Sequence, residues 1–265
     1  MRVAFTIILN GLHHLKHNDM AEKLVDAVDY WQIVEGAASP TGSTSWCRTV
    51  KPSYRDADGM STDGTNDYLN DLVRRYPDRV GHSGTVGKNK DQMVNCAIEG
   101  ILKSFGNKIP DDCYLYQIDV DEQWDKEQMD QAEAMLEYMR GDCGKFLCDY
   151  YVGSGLLAKG DWGEGRKIPY RRLWKWRGQK FQTHEPPELE GGNGVEILLP
   201  QRFKHYAYYF PEDVKFKESF YTGHDGAYAR WCDLQEETAF PQPLTRLITG
   251  PWGRTNTVIV RENDD

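Results

Sequence analysis

Hydrophobic positions in the first half of the chain alternate between short continuous runs and stretches with helical spacing. The first run, residues 2–10, is apolar almost throughout, which is typical of a parallel strand covered on both faces. Further strands are predicted at residues 30–36, 79–83 and from 114 onward. Helical spacing predicts helices over residues 18–28, 62–75, 90–105 and 125–139. Repeated strand–helix units of this length predict an α/β fold with a mostly parallel sheet flanked by helices.

The second half of the chain has a less regular pattern. Shorter strands, broken by glycine-rich turns, are predicted at residues 145–149, 153–158, 171–176 and 195–199, and helices at residues 211–221 and 225–232. In the first half, residues 37–58 are rich in Gly, Ser, Thr and Pro and predict a long loop. We find no internal repeat and no long linker, so we expect one domain over residues 1–265.

Two carboxylates follow the fourth predicted strand. Residues 114–124 read Tyr-Leu-Tyr-Gln-Ile-Asp-Val-Asp-Glu-Gln-Trp, which places Asp119 and Asp121 two positions apart. In an extended chain such residues point to the same side, and two close carboxylates repel unless a cation lies between them. A hard divalent ion between the two carboxylates would remove this repulsion, and it could bind a phosphate at the same time. The pattern therefore predicts a site for Mn²⁺ or Mg²⁺. The alternative is a solvated acidic turn.

Composition narrows the possible partners. Lys and Arg number 32 against 41 Asp and Glu, and the net charge of −9 argues against a nucleic-acid binder, because phosphate backbones require basic surface. No apolar run approaches the length of a bilayer span or has the form of a signal peptide, so we expect no transmembrane segment. The six cysteines show no Cys-x-x-Cys pair, and we interpret them as reduced, mostly buried thiols of a cytoplasmic protein.

The order of these features resembles the GT-A fold of nucleotide-sugar glycosyltransferases, in particular the group related to family 2. Residues 87–97, Gly-Lys-Asn-Lys-Asp-Gln-Met-Val-Asn-Cys-Ala, resemble the helix that this family places before its Asp-x-Asp strand. The family has Ala-Arg-Asn where this chain has Met-Val-Asn, so only Asn95 carries over. Phe-Gln-Thr-His-Glu-Pro-Pro at residues 181–187 and His-Tyr-Ala-Tyr at residues 205–208 resemble segments of bacterial and viral members. The resemblance covers most of residues 1–222.

This resemblance implies that a sugar is transferred from a nucleotide diphosphate donor, expected to be UDP-linked, to a glycan or another hydroxyl acceptor. It also implies a nucleotide-binding half over residues 1–124, an acceptor and metal half over residues 125–222, and a C-terminal helix and tail over residues 223–265. Asp121 would be the direct ligand of Mn²⁺ or Mg²⁺, and Asp119 would contact ribose or complete the metal shell. His205 is the candidate third ligand, and its alternative is a purely structural histidine.

The acceptor hydroxyl needs a general base if the transfer inverts the anomeric configuration, and a carboxylate serves this purpose. We expect this base to be Glu185, in a loop that two following prolines stiffen. Asp149, at the end of a predicted strand, is the second candidate. The alternative for Glu185 is a rigid, solvated turn. Since enzymes of both stereochemical outcomes share this fold, inversion remains an expectation.

Donor contacts are expected near the carboxyl ends of the parallel strands. Glu35 ends the second strand and is a candidate hydrogen-bond partner of uracil or ribose, and Asn10 ends the first strand beside it. Lys88 is a candidate for the diphosphate, and Asn95 is carried over from the family helix. For each of these residues, a plain surface or capping role is the alternative.

Three other groups of residues have plainer interpretations. Trp124, Trp174 and Trp176 stack on sugars in one interpretation and pack in the core in the other. We expect the histidines at positions 13, 14 and 17 to lie in a histidine-rich loop rather than a metal site. The basic cluster of residues 171, 172, 175 and 177 either receives an anionic group or, by default, forms salt bridges with its neighbours.

Two other enzyme classes and one non-catalytic function compete with the glycosyltransferase interpretation. A sugar-phosphate nucleotidyltransferase typically has a Gly-rich, basic loop after its first strand, and Asn-Gly-Leu-His-His at residues 10–14 lacks it. A phosphatase with an Asp-x-Asp nucleophile would carry the motif on the first strand rather than the fourth. A non-catalytic module that binds a nucleotide sugar or a glycan remains open.

Overall fold

The computed structural model describes residues 1–41, 46–85, 87–162, 169–249 and 253–263. Its strands are β1 (Arg2–Ile8), β2 (Tyr30–Glu35), β3 (Val80–Gly84), β4 (Tyr114–Gln117), β5 (Glu122–Gln123), β6 (Cys143–Gly153), β7 (Leu156–Lys159), β8 (Tyr170–Lys175), β9 (Phe181–His184), β10 (Pro187–Leu189), β11 (Glu196–His205), β12 (Gln242–Pro243) and β13 (Val258–Arg261). Its α-helices are α1 (Leu12–Lys16), α2 (Met20–Ala27), α3 (Thr65–Arg75), α4 (Lys90–Ser104), α5 (Lys126–Tyr138), α6 (Pro211–Phe220) and α7 (Ala227–Glu236). Short 3-10 helices lie at His17–Asp19, Pro52–Tyr54 and Leu244–Arg246.

Most strands belong to one sheet with the order β12-β13-β7-β6-β8-β4-β1-β2-β3, and β11 joins it beside β6 and β5. The four strands β3, β2, β1 and β4 run parallel, which confirms the α/β class and the parallel first half. Strand β8 runs antiparallel to both β4 and β6, and the sheet is mixed from there on. Strands β9 and β10 form a separate hairpin.

Both faces of the parallel strands are covered, as the continuous apolar run of β1 predicts. Successive residues of a strand point to opposite faces. Val3 and Phe5 belong to a core that contains the apolar side of α4, whereas Ala4 and Ile8 belong to a second core with residues of α2, α3 and α5. The first half is therefore a sheet between helical layers, and this arrangement leaves the carboxyl ends of its strands free to carry a site.

The predicted helices and strands are present, with boundaries that shift by a few residues. Strands β6 and β11 are longer than predicted because they pair with each other in parallel along most of their length. The loop predicted at residues 37–58 contains the 3-10 helix Pro52–Tyr54, and its residues 42–45 lie outside the described residues. The histidine segment is the short helix α1, so the expectation of a loop there is wrong.

The fourth strand ends before the Asp-x-Asp pair. Strand β4 stops at Gln117, and the chain turns between Asp119 and Glu122, where the Glu122 amide donates to the Asp119 carbonyl at 2.9 Å. The expectation that Asp119 and Asp121 point to one side as neighbours in an extended strand is therefore wrong. The turn directs the two carboxylates to different partners.

Two findings concern the cysteines and the helices of the described chain. All six cysteines are free, and Cys47, Cys113, Cys143 and Cys148 are buried. Among the helices of the described ranges, none combines the length and the apolar character needed to cross a bilayer.

Candidate functional site

Main-chain pairing brings Asp121 beside His205. Strand β5 pairs antiparallel with the end of β11, so that Glu122 lies opposite His205. The Tyr206 amide donates to the Asp121 carbonyl at 2.7 Å and extends this pairing by one residue. As a result, Nε2 of His205 lies 3.5 Å from Oδ1 of Asp121. The predicted proximity of these two side chains is present in the structure.

The second oxygen of Asp121 faces a lysine. Nζ of Lys217, from α6, lies 3.2 Å from Oδ2 of Asp121 and also donates to the Ala207 carbonyl. Burial by itself would raise the pKa of Asp121, but the attraction of Lys217 and His205 outweighs burial and holds this pKa well below its usual range. Asp121 is therefore a carboxylate, and it carries a negative charge at the floor of the site.

Asp119 points to a different cation, Arg172 on β8. Nη2 of Arg172 donates to Oδ2 of Asp119 at 2.7 Å, and the same guanidinium binds both carboxylate oxygens of Glu122 at distances of 2.6 to 3.1 Å. The Glu122 side chain is fully buried. Burial raises the pKa of Glu122 to about 7, and only part of this effect is offset by Arg172, which Asp119 shares.

The two aspartates are thus neutralised by protein cations, Asp119 by Arg172 and Asp121 by Lys217. Asp119, Asp121 and His205 do not bring three ligand atoms within 4.8 Å of one another, whereas another trio in the described residues does. Asp121 and His205 together offer two ligands of the kinds that Mn²⁺ accepts. Nδ1 of His205 is buried and has no hydrogen-bond partner in the described part of the chain.

Glu185 lies in the turn between β9 and β10, and α4 holds this hairpin in place. The Asn95 side chain exchanges two hydrogen bonds with the main chain of Phe181, at 2.8 and 2.9 Å, and Asp91 accepts one from the His184 amide at 2.8 Å. Asn95 therefore positions the loop that carries the predicted base.

The Glu185 carboxyl group lies within electrostatic range of Asp119 and Arg172. The residue is exposed at its surface, yet protein atoms crowd its carboxyl group on several sides. This crowding raises the pKa of Glu185, and the nearby charges of Arg172 and Asp119 act in opposite directions on it. Lys90, in the first turn of α4, lies within electrostatic range of Glu185 and Asp119.

Two of the residues predicted to contact the donor, Glu35 and Asn10, form hydrogen bonds with other residues of the chain. Glu35 is fully buried, and its oxygens accept hydrogen bonds from the Ser61 amide and the Asn66 side chain and lie 3.0 Å from the His82 ring. Asn10 binds the Tyr54 carbonyl at 2.6 Å and the Thr62 amide at 2.8 Å. Both side chains tie the carboxyl end of a strand to the segment that precedes α3.

Lys88 and Asp149 also have protein partners in the structure. Nζ of Lys88 lies 2.8 Å from Sγ of Cys96 on the exposed side of α4. Asp149 forms an ion pair with Arg202 at 2.9 Å on the neighbouring strand. Within the described residues, neither side chain forms a hydrogen bond or ion pair with Asp121 or Asp119, so the structure does not bring them into the group formed by Asp121, His205, Asp119 and Glu185.

The tryptophans and the basic cluster follow the plainer interpretation. Trp124, Trp174 and Trp176 are buried in the two cores. Within the basic cluster, Arg171 pairs with Glu196, Arg172 pairs with Glu122 and Asp119, and Lys175 pairs with Glu137. Salt bridging, the default expectation, is confirmed for these three residues.

Sequence reasoning missed Glu122, Lys217 and Lys90 as components of this region, and it named Arg172 only as part of a basic cluster, without linking it to the aspartates. Glu122 directly follows the Asp-x-Asp pair, and Arg172 stands in a basic strand of an acidic chain, so each carried a weak signal. Lys217 carried none, because it contacts Asp121 across 96 positions of sequence.

Comparisons with known proteins find similarity in solved structures alone, since no family model and no curated protein matches the sequence. TarS of S. aureus aligns with 87% of this chain and 42% of its own, at 10% identity and a TM-score of 0.44. TarS 1–349 of S. aureus in complex with UDP-GlcNAc aligns with 82% of this chain and 64% of its own, at 11% identity and a TM-score of 0.41. A 4-diphosphocytidyl-2C-methyl-D-erythritol synthase aligns with 67% of this chain and 75% of its own, at 11% identity and a TM-score of 0.36. The chain spans 37% to 64% of the length of the TarS structures. Similarity at this level of identity and TM-score says nothing about the chemistry of this chain.

Proposed function

We propose that this chain is a glycosyltransferase that moves a sugar from a nucleotide diphosphate donor, UDP-linked, to a hydroxyl acceptor such as a glycan. The observation that carries the proposal is the approach of Asp121 to His205, 3.5 Å apart, with Asp119 two positions earlier in the chain and Glu185 within electrostatic range of Asp119. A carboxylate and an imidazole that face each other are suited to a divalent ion, and such an ion attracts the anionic end of the donor.

Asp121 and His205 would hold Mn²⁺ or Mg²⁺, and this pair fits such an ion because Asp121 is ionised and the Nε2 atom of His205 faces it. When bound, the ion supplies Lewis-acid neutralisation of the charge on the diphosphate. Asp119 does not join this pair, so we assign it to the donor ribose. A hydrogen bond to the ribose would replace part of the present interaction between Asp119 and Arg172.

Three cationic side chains of the protein would favour binding of the anionic donor. The ammonium group of Lys90 lies 5.7 Å from the centre of the Phe220 ring and makes no hydrogen bond or ion pair in the described part of the chain. We assign it to a phosphate oxygen of the donor. Arg172 and Lys217 neutralise the two aspartates and thus lower the electrostatic cost of bringing an anion close to them.

Glu185 is the proposed general base of an inverting transfer. Its raised pKa makes it a better proton acceptor than an ordinary surface carboxylate, and it remains ionised above that pKa. It would take the proton of the acceptor hydroxyl as the new glycosidic bond forms and the bond between the sugar and the diphosphate breaks. Asn95 would act on this step by holding the loop of Glu185 in position.

The test is release of the nucleoside diphosphate from a panel of nucleotide sugars, with and without Mn²⁺ and a panel of hydroxyl acceptors. We expect acceptor-dependent release to fall by about 100-fold or more in Asp121→Asn and in Glu185→Gln, as for loss of an electrostatic group or a general base. Asp233→Asn, an exposed aspartate on α7, is the matched control and should keep full activity.

Binding data separate the outcomes of this test. If the wild-type protein binds a nucleotide sugar but releases no diphosphate with any acceptor, the chain is a binding module and the proposed activity is wrong. If release proceeds equally in Asp121→Asn and the wild type, the proposed site is wrong.

A further inference from the structure

A second group of metal-ligating side chains borders the proposed active site without sharing a residue with it. His13 and His14 stand next to each other on α1, and Asp213 lies in the first turn of α6, about 200 positions later in the sequence. One ligand atom from each of the three residues lies within 4.8 Å of the other two. Nε2 of His13 is 2.9 Å from Oδ1 of Asp213, and Nε2 of His14 is 2.8 Å from Oδ2.

The pairing of His14 with Asp213 leaves buried polar atoms without a hydrogen bond. His14 is 1% exposed, and neither of its ring nitrogens makes a hydrogen bond in the described part of the chain. Oδ2 of Asp213 has none either, although it lies 2.8 Å from Nε2 of His14. Buried nitrogens and oxygens are seldom left in this condition. The atoms are close but not aligned with each other, as is expected when they surround a common point.

We propose that His13, His14 and Asp213 bind a divalent transition-metal ion of the Zn²⁺ type. Two imidazoles and one carboxylate are a ligand set that zinc and its neighbours accept, and magnesium and calcium prefer oxygen. Bonds of about 2.0–2.2 Å place neighbouring ligand atoms of a tetrahedral site about 3.3 to 3.6 Å apart. The observed separations of 2.8 and 2.9 Å reach this range with small rotations of the side chains.

The surroundings of this trio include both favourable and unfavourable charges. Glu212 and Asp63 lie within electrostatic range of His13 and favour a cation. Lys217 lies within range of Asp213 and opposes one, but its ammonium group is already bound to Asp121 and the Ala207 carbonyl. The Phe210 ring meets both histidines edge-on, at 5.0 and 5.1 Å, and covers one side of the trio. His13 is partly exposed and gives the ion a path from solvent.

An ion at this position would join α1 to α6 and thus link the two halves of the chain. Lys217 belongs to the same helix as Asp213, one turn further on, so the ion would also fix the helix that neutralises Asp121. The trio shares no ligand with the proposed pair of Asp121 and His205, and therefore this inference does not depend on the proposed function.

The experiment is calorimetric titration of chelator-treated protein with ZnCl₂. We expect one high-affinity site in the wild type, and a loss of affinity of more than about 100-fold in His14→Gln and in Asp213→Asn, beyond what removal of a group that only orients a ligand costs. His17→Gln removes a neighbouring histidine outside the trio and should bind as the wild type does. Asp121→Asn removes no ligand but frees Lys217 from its carboxylate partner, so it should weaken this site far less than the trio variants do.

Cobalt substitution gives an independent spectroscopic reading, since coordinated Co²⁺ absorbs visible light according to its ligands. We expect this absorption in the wild type and in His17→Gln, and its absence in Asp213→Asn. If His14→Gln is unfolded by circular dichroism, the comparison rests on His13→Gln and Asp213→Asn. The proposal is wrong if the wild type shows no high-affinity Zn²⁺ site, or if binding survives the trio variants but is lost in Asp121→Asn.

Discussion

Replacing Glu122 with glutamine removes a buried acid but keeps its size and one hydrogen-bond acceptor for Arg172. Glu122 is fully enclosed, and the guanidinium of Arg172 that binds it also binds Asp119. One cation thus serves two carboxylates, so the pocket carries an excess negative charge when both are ionised. We therefore expect protonation of Glu122 to change the free energy of unfolding measurably.

The magnitude follows from the pKa of Glu122. Burial raises this pKa from 4.5 to about 7, and Asp119 adds to the effect. The folded protein therefore binds the Glu122 proton more tightly than the unfolded chain does. The resulting contribution to stability is fully present below pH 4.5 and is lost as the pH rises through 7. Between pH 5 and pH 8 the free energy of unfolding should fall by about 2.5 kcal/mol from this group alone.

The assay is urea denaturation of the wild type and of Glu122→Gln between pH 5 and pH 8 at constant ionic strength. The free energy of unfolding of the wild type minus that of the variant should decrease by about 2.5 kcal/mol over this range. Glu236→Gln, at the exposed end of α7, is the control, and its difference from the wild type should stay level over the same range. A level or rising difference for Glu122→Gln would refute the reasoning about the shared guanidinium.

Three further predictions concern groups with other roles. Glu35→Gln should cost about 1.5–3 kcal/mol at pH 7, since charged hydrogen bonds are lost. Burial opposes ionisation of Glu35, but His82 and Ser61 lower its pKa below 4.5, so the difference between wild type and variant should shrink as the pH falls from 5 to 3 in acid unfolding. Asn95→Ala should cost about 1–3 kcal/mol and speed hydrogen exchange in the hairpin of β9 and β10; unchanged exchange would contradict its positioning role. Trp124→Ala should cost about 3–5 kcal/mol in urea denaturation, because its ring stacks on Phe203 in the core, and a change confined to substrate binding would contradict this.

The parallel half of the fold could be predicted because its signals are local. The apolar run of β1 is buried on both faces, and α4 begins at Lys90, where its helix was predicted to start, with a capping box formed by Asn89 and Gln92. Such patterns depend on residues a few positions apart. The spacing of apolar residues within a strand or helix then predicts which of its faces is buried.

The directions of the site side chains could not be predicted in the same way. The turn that separates Asp119 from Asp121 is shaped by the pairing of β5 with β11, about 80 positions later in the chain. The partners of both aspartates, Arg172 and Lys217, are also distant in sequence. Spacing alone suggested that a metal would be needed between the carboxylates, whereas long-range contacts supply two protein cations.

The pairing of β5 with β11 has a consequence for mutagenesis. The Glu122–His205 register and the bond from the Tyr206 amide to the Asp121 carbonyl belong to the main chain, and a side-chain replacement leaves them intact. Removing the carboxylate of Asp121 should therefore leave the His205 ring where it stands, and removing that ring should leave the carboxylate. Each single variant then isolates one functional group in an otherwise unaltered frame, so the two can be combined in a double-mutant cycle that measures their coupling directly.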